Sequence, residues 1–339
     1  MTRDDTEALV LGAGVIGLTT GICLAEAGLR VLIAAAEPPQ QSTSIAAGAV
    51  WGPHLVGHDD RIARWGQVTL DRFAELAGSR PDKRSVAGLT GIVHTATGIT
   101  ASREEHASPP EFAPDPGALT AADPDEIPAG YRSAWRLSAP LIAMPEYLDY
   151  LAGRFGRAGG ASTFPASFGS LSDASRLAQG ARVIVNCTGT GARDLVPDAS
   201  VTPVRGQAVV VANPGITEFF VGTGSDPGDL TYFFPHREVV VLGGTEQPGD
   251  CRREPDPATA ERIVAACTAV QPALRGARVL GHRVGLRPAR PSVRLEAEQL
   301  RADLTVIHNY GHGGAGVTLS WGCAADAAAL ALAVLDPGR

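Results

Sequence analysis

An apolar run at 8–11 (ALVL) stops at Gly12, and the spacing from Val15 to Ala27 turns helical. Gly28 sits where a helix C-cap belongs, and a second apolar run follows at 30–34 (RVLIA). Strand, glycine turn, helix and strand in such a short stretch make a βαβ unit of parallel sheet. The turn reads Gly12-Ala13-Gly14-Val15-Ile16-Gly17, a GxGxxG that follows a strand and opens a helix. Gly12 permits the tight turn and Gly14 lets backbone approach a pyrophosphate. Gly17 and Gly21 let the helix pack close to the sheet, and free N–H groups at the helix N-terminus favour phosphate charge. The motif in this setting predicts a bound dinucleotide. The acidic residue that usually takes the adenosine ribose is missing, because the second strand runs out as Ala34-Ala35-Ala36-Glu37. Glu37, a water molecule, or Glu37 as a mere solvated loop charge all stay open.

Composition narrows the class. The chain has 339 residues, 44% apolar and 19% charged, enough for two domains or one large α/β domain with an inserted lobe. A net charge of −7 argues against a nucleic-acid binder. Cys23, Cys187, Cys251, Cys267 and Cys323 are an odd set without CxxC spacing, so neither a disulfide framework nor a Cys-rich metal site is expected. Lys83 is the only lysine and lies in a polar stretch, which discounts lysine catalysis. The stretch from Ala8 to Leu29 is apolar, but Asp4, Asp5 and Glu7 precede it where a signal peptide would be positive. No other run looks long enough to span a membrane, and the C-terminal Asp336-Pro337-Gly338-Arg339 shows no peroxisomal address. The expectation is a soluble, cytoplasmic protein without nucleic-acid or membrane partners. The sequence is silent on oligomeric state, and a homodimer stays open.

Further helices are expected at 62–77, 146–158, 257–270 and about 317–335, with strands at 181–187, 207–212, 239–242 and 303–309. Residues 79–140 are rich in Pro, Gly, Ser and Thr, with strand-like fragments such as 88–93. The fold class is therefore α/β. A discontinuous Rossmann-like domain is drawn from 1–78, 141–200 and 279–339, and an α+β domain with a mixed or antiparallel sheet from 79–140 and 201–278.

The stretch Ser42-Thr43-Ser44-Ile45-Ala46-Ala47-Gly48-Ala49-Val50-Trp51 offers small hydroxyls and then small apolar residues, thin enough for a flat ring to pack on. With it, the chain resembles the D-amino acid oxidase family, which includes D-aspartate oxidase. The resemblance rests on LGAGVIGL at 11–18, STSIAAGAVWGPH at 42–54, VIVNCTG at 183–189, RGQ at 205–207 and VLGGT at 241–245. It continues in GLRPARPSVRLE at 285–296 and HNYGHGGAGVTLSWGCA at 308–324, a highly specific pair, whereas 56–180 matches only loosely. The resemblance implies non-covalent FAD and oxidation of a D-amino acid at its Cα–N bond, with O₂ reoxidising the flavin to give hydrogen peroxide. Carried over by residue, Arg287 holds the substrate carboxylate, Tyr232 donates its hydroxyl to it, and the Gly314 carbonyl takes the amine. The cofactor set it implies is Gly12, Ala13, Gly14, Val15, Ile16, Gly17, Ser42, Thr43, Ser44, Gly48, Ala49, Phe168, Thr188, Gly313, Gly314, Gly316, Val317 and Thr318. The family transfers hydride directly, so His308 and His312 are not expected to act as bases.

These roles are chemically sensible. A planar guanidinium matches a carboxylate with two parallel hydrogen bonds. N–H groups opening the last helix place a positive dipole end where flavin reduction deposits charge. Arg290 and Arg294 are better suited to ion pairs. Two departures stand out: 222–231 lacks the second tyrosine of a longer lid, and Gly52 replaces a larger residue after Trp51. Both open the pocket, and the expected substrates are neutral D-amino acids. His54, His236 and Arg237 are the alternatives that could hold a side-chain carboxylate, giving D-aspartate oxidase specificity. A glycine- or sarcosine-type amine oxidase, a non-catalytic dinucleotide sensor and an NAD-dependent dehydrogenase fit the motifs less well.

Overall fold

The computed structural model describes residues 5–57, 59–78, 91–105, 107–110, 113–224 and 230–336. Lys83, the 88–90 part of the strand-like fragment and 225–229 of the shortened lid segment lie outside them. Two sheets organise the rest. The first has six strands in the order Arg294–Arg301, Leu304–Tyr310, Val183–Asn186, Ala8–Leu11, Val31–Ala34 and Ala161–Thr163. All neighbours pair in parallel except the first two. Its central strands are buried along their whole length, which explains their unbroken apolar runs.

Helix Val15–Glu26 packs on this sheet, where a Cβ at Gly21 would lie 2.8 Å from Ile33 Cδ1. Leu18, Ile22 and Leu24 are fully buried there, each worth about 1.5–3 kcal/mol by area bookkeeping. Gly28, at φ +94°, ends the helix as expected. Helix Gly316–Leu335 lies alongside, joined by the Thr19 hydroxyl donating to the Ser320 carbonyl at 3.2 Å. This last helix corrects one expectation, because its 20 residues are long and apolar enough to cross a membrane. Most of it is instead buried against helices Val15–Glu26 and Ile62–Leu76, with a Cβ at Gly322 falling 2.3 Å from Trp65 Cα.

The second sheet has nine strands and is mixed, as expected. Its path runs Gln247–Pro248, Thr202–Ala212, Val239–Gly243, Leu230–His236, Phe219–Thr223, Val93–Ser102, Ser133–Ile142 and Thr120–Ala121. Only Val93–Ser102 and Phe219–Thr223 pair in parallel. The ninth strand, Val279–Ala289, pairs antiparallel with Thr202–Ala212. The sequence reading placed 279–289 with the nucleotide layer, and the structure moves that segment to the second sheet. It also makes ten-residue strands of Val93–Ser102 and Ser133–Ile142, whose threonines, glycine and proline blur the alternation.

Register sets what faces inward. Tyr232 pairs with Gly243, Phe234 with Val241 and His236 with Val239. Arg283 pairs with Ala208, Gly285 with Gly206 and Arg287 with Val204. With side chains alternating along each strand, Tyr232, Phe234, His236, Arg283 and Arg287 share the face turned toward the 42–52 loop.

Candidate active site

A cavity of about 570 Å³ runs from the glycine turn to the second sheet, within the usual range for ligand sites. At the near end Gly12 has φ +106°, and a Cβ there would lie 2.4 Å from the Cys187 carbonyl oxygen. Val15 N–H donates to Ser44 Oγ at 2.9 Å, which ties the 42–46 turn to the helix N-terminus. Ala13, Gly14, Val15 and Ile16 line the cavity with Ser42, Thr43, Ser44, Phe168 and Thr188. Glu37 also lines it, and its carboxylate is held by Arg253 at 2.5 and 2.9 Å.

At the middle, Gly313, Gly314, Gly316 and Val317 close one wall where helix Gly316–Leu335 begins. That helix has no side-chain N-cap and no acidic residue in its first turn. Two polar atoms of this wall, Asn309 Oδ1 and His312 Nε2, are buried without a hydrogen-bond partner among the described residues. Open backbone donors, a glycine cradle and two orphaned polar atoms fit a flavin dinucleotide.

The far end is made by side chains. Arg287 lies over Gly206, where a Cβ would come within 2.5 Å of its Nη1. Nη1 donates to the Thr245 carbonyl at 2.9 Å, and no other hydrogen bond of the Arg287 side chain occurs among the described residues. Tyr232 packs over Gly243, where a Cβ would lie 2.0 Å from its Cζ, and stacks on Phe234 with centroids 4.6 Å apart. Burial raises the Tyr232 pKa, opposed by the Arg287 and Arg283 charges, so the hydroxyl keeps its proton to donate. Gly314 meets His54, whose Cδ2 would be 2.7 Å from a Cβ there. Arg287, Tyr232 and Gly314 therefore line the same cavity as the glycine turn.

Gly17, Gly48, Ala49 and Thr318, expected at the cofactor, are not among the residues that line the cavity. Gly17 does not line the cavity; a Cβ there would sit 1.9 Å from the Gly12 carbonyl oxygen, so this glycine serves packing. Gly48 faces Phe234 and Tyr232, and Ala49 is buried with φ +61°. The Thr318 hydroxyl instead bonds Gly52, donating to its carbonyl at 2.9 Å and accepting from its N–H at 3.1 Å.

The histidines separate clearly. His308 points away toward Glu298, 3.1 Å from its Nε2. His312 lines the cavity, but burial pulls its pKa down to about 3 and holds it neutral. His236 is buried, donates to the Gly48 carbonyl and has its pKa lowered to about 4, chiefly by burial. Arg237 is exposed on the other face, packed on Gly91. Arg290 and Arg294 take ion pairs with Asp198 and Glu296, as their sequence context suggested. The Cys187 thiol lines the cavity with its pKa pushed up to about 12 by burial. No cluster of three or more metal-ligating side chains occurs among the described residues.

Sequence reasoning missed Arg253, Glu246 and Arg283. Arg253 is carried to Glu37 by a segment that Arg205 anchors, donating to the carbonyls of Arg252 (3.0 Å) and Glu254 (2.7 Å). The RGQ motif was the available signal, since Arg205 is fully buried and needs acceptors.

A family profile described as FAD dependent oxidoreductase matches residues 7–330. A D-amino-acid oxidase of Rubrobacter xylanophilus is 45% identical over 97% of this chain and 97% of its own. The chain belongs to the D-amino-acid oxidase family. A second member, the D-amino-acid oxidase of Streptomyces coelicolor, is 44% identical over 96% of this chain and 97% of its own. Among solved structures, glycine oxidase from Geobacillus kaustophilus superimposes with TM-score 0.77 at 18% identity, covering 96% of this chain and 94% of that one. That likeness concerns the fold. As a member of this family the protein is an oxidoreductase with FAD as cofactor.

Proposed function

We infer that the protein oxidises D-amino acids with FAD and O₂, giving the imino acid, which hydrolyses to an α-keto acid and ammonia, and hydrogen peroxide. The observation that carries this reading is the convergence of Arg287, Tyr232 and Gly314 at one end of the cavity whose other end is the glycine turn. The first sheet is the cofactor domain and the second, including 279–289, the substrate domain.

Arg287 has donors left over after Thr245 and pairs with the substrate carboxylate, while the Tyr232 hydroxyl donates to the same group. The Gly314 carbonyl accepts from the amine. With carboxylate and amine fixed and the side chain kept off the cofactor wall, a single enantiomer has its Cα–H directed at that wall. Bound flavin supplies the acceptor for that hydride and passes the electrons to O₂. Asn309 and the neutral His312, whose orphaned atoms lie in the cavity wall, would hold the cofactor, and the helix N-terminus at Gly316 would favour negative charge beside it. FAD is held without a covalent bond. The cytoplasm is the proposed compartment, in keeping with five free thiols.

Neutral side chains are favoured because the three residues that could have held a second carboxylate are engaged elsewhere. His54 faces Glu246, His236 is tied to Gly48, and Arg237 lies on the outer face. One observation favours acidic substrates instead. Arg283 is half-buried on the same face as Arg287, and makes no hydrogen bond or ion pair among the described residues.

A peroxide-coupled panel of D- and L-amino acids decides both points. The expected result is turnover of D-alanine, D-methionine and D-phenylalanine, none of the L-forms, and flavin released into the supernatant on denaturation. A lead of about tenfold for D-aspartate, which is about 1.4 kcal/mol, would transfer the choice to the Arg283 reading.

A further inference from the structure

One titratable pair at the substrate end has no part in the reading above. His54 Nε2 lies 2.6 Å from Glu246 Oε1, with His54 42% exposed and Glu246 16%. The contact sets an imidazole nitrogen against a carboxylate oxygen. The two residues come from different segments. His54 follows Gly52, which Thr318 clamps to the last helix. Glu246 follows Thr245, whose carbonyl accepts from Arg287. The His54 ring rests on Gly314, with Cδ2 2.7 Å from where a Cβ would be. The pair thus spans from the amine-accepting segment to the carboxylate-binding one, and its histidine reaches solvent.

The chemistry at this end needs such a group. A D-amino acid arrives as an ammonium ion, and its Cα hydrogen cannot leave with the bonding electrons until the nitrogen lone pair is free. Of the charged and titratable groups nearby, Arg287 offers donors only, and Tyr232 is a donor whose proton burial holds in place. His312 is neutral, 2% exposed and cut off from solvent. Glu246 is kept ionised by His54 against the opposing effect of burial, with Arg287 helping.

We propose that His54, oriented by Glu246, accepts the ammonium proton of the bound D-amino acid and passes it to solvent. The proposal rests on the D-amino-acid oxidase reading. The carboxylate holds a proton on Nε2, leaving the Nδ1 lone pair as the acceptor, directly or through one water. The N–H bond of the ammonium breaks, an N–H bond to Nδ1 forms, and the imidazolium then loses that proton to water. The freed amine donates its lone pair as the Cα–H electrons leave for the flavin, and O₂ finally takes both electrons.

The test is the pH profile of kcat/KM for D-alanine with wild type, His54→Gln and Glu246→Gln, all FAD-loaded. His54→Gln should lose about 100-fold at neutral pH. Its acid limb should move toward the pKa of the substrate ammonium, and its rate should converge with wild type at high pH, where free amine is already present. Glu246→Gln removes a negative charge beside the imidazole, so its limb should move to lower pH while the plateau falls. Benzoate, which has no ammonium, should bind all three equally, as read by flavin absorbance; weakened benzoate binding in step with the rate would mark a structural role and overturn the proposal. A wild-type limb in His54→Gln, or a loss equal at every pH, overturns it too. Wild type that oxidises no D-amino acid would take down the underlying reading as well, whereas active wild type with unmoved limbs removes only the role of His54.

Discussion

The two ends of the cavity are built on different principles. At the nucleotide end the functional groups are backbone, presented by a turn that the six residues Gly12 to Gly17 after a strand make possible. Glycine is required there because a Cβ at Gly12 would lie 2.4 Å from the Cys187 carbonyl oxygen. At the substrate end, apart from the Gly314 carbonyl, the groups are side chains from strands far apart in sequence, brought together by the register of the second sheet. A backbone site is local and tolerates changes in side chain around it. A side-chain site depends on the whole sheet, and each member is individually replaceable. Substitutions should therefore separate the two functions, cofactor retention at one end and substrate recognition at the other.

The largest effect belongs to Arg287→Ala. The substrate carboxylate loses its forked partner in a partly desolvated site, a loss of roughly 2–5 kcal/mol by analogy with buried charge pairs. That corresponds to about 30-fold to several-thousand-fold in kcat/KM. Flavin content should stay at the wild-type level, because the guanidinium bonds Thr245 rather than the glycine turn. Arg287→Lys should recover only part of the loss, since a point charge cannot reproduce the fork. Near-normal efficiency in the alanine variant would remove Arg287 from the substrate site.

Gly17→Ala tests the other end. Its Cβ would fall 1.9 Å from the Gly12 carbonyl oxygen, and because the obstacle is backbone the turn itself must shift. Flavin retention after gel filtration should drop several-fold, while the fraction that keeps flavin should show wild-type KM. An unchanged flavin content would mean that the turn absorbs the methyl group, and the claim that backbone geometry sets this end would fail. A raised KM in the flavin-loaded fraction would show that the two ends are not separable.

The same contrast explains what could be read from the sequence. GAGVIG follows a strand by one step, so the periodicity switch and the glycines appear together within one window. The helices at 62–77, 146–158 and 257–270 were legible for the same reason, and appear as Ile62–Leu76, Met144–Arg157 and Pro257–Val270. Val279–Ala289 was not, because GHRVGLRPA carries charged, glycine and proline residues where a strand normally alternates. Those residues make sense only in three dimensions: Gly285 gives clearance for the 43–46 turn, and Arg283 and Arg287 project onto the substrate face. Arg287 was recognised only through the family motif. Glu246 had no local mark at all, since its partner lies 192 positions earlier by the difference between 246 and 54. Cofactor residues inferred by family order, such as Thr318 and Gly48, are not among those that line the cavity.

The smallest effect expected is that of Glu37→Gln, and it bears on an ion pair that crosses between the two ends. Glu37 lies past strand Val31–Ala34 of the first sheet, whereas Arg253 follows strand Gln247–Pro248 of the second, and they meet in a forked pair at 2.5 and 2.9 Å. Arg253 also donates to the Gln41 carbonyl at 3.0 Å, so it fastens the 37–41 turn over the nucleotide end. The side chains are 51% and 36% exposed, which places the pair among surface ion pairs worth about 0–1 kcal/mol. If the pair only fastens the turn, Glu37→Gln should weaken FAD binding about threefold or less, and 0.5 M salt should erase the difference from wild type. If Glu37 also takes the adenosine ribose, the loss should exceed tenfold and persist in salt, because a hydrogen bond to a charged carboxylate is worth about 1.5–3 kcal/mol. Arg253→Met separates these cases, since it frees the carboxylate without removing it. Equal small losses in both variants, both salt-sensitive, would make the cross-lobe pair a fastening. A large loss confined to Glu37→Gln would return the ribose to Glu37, and the nucleotide end would then rest on one side chain as well as on backbone.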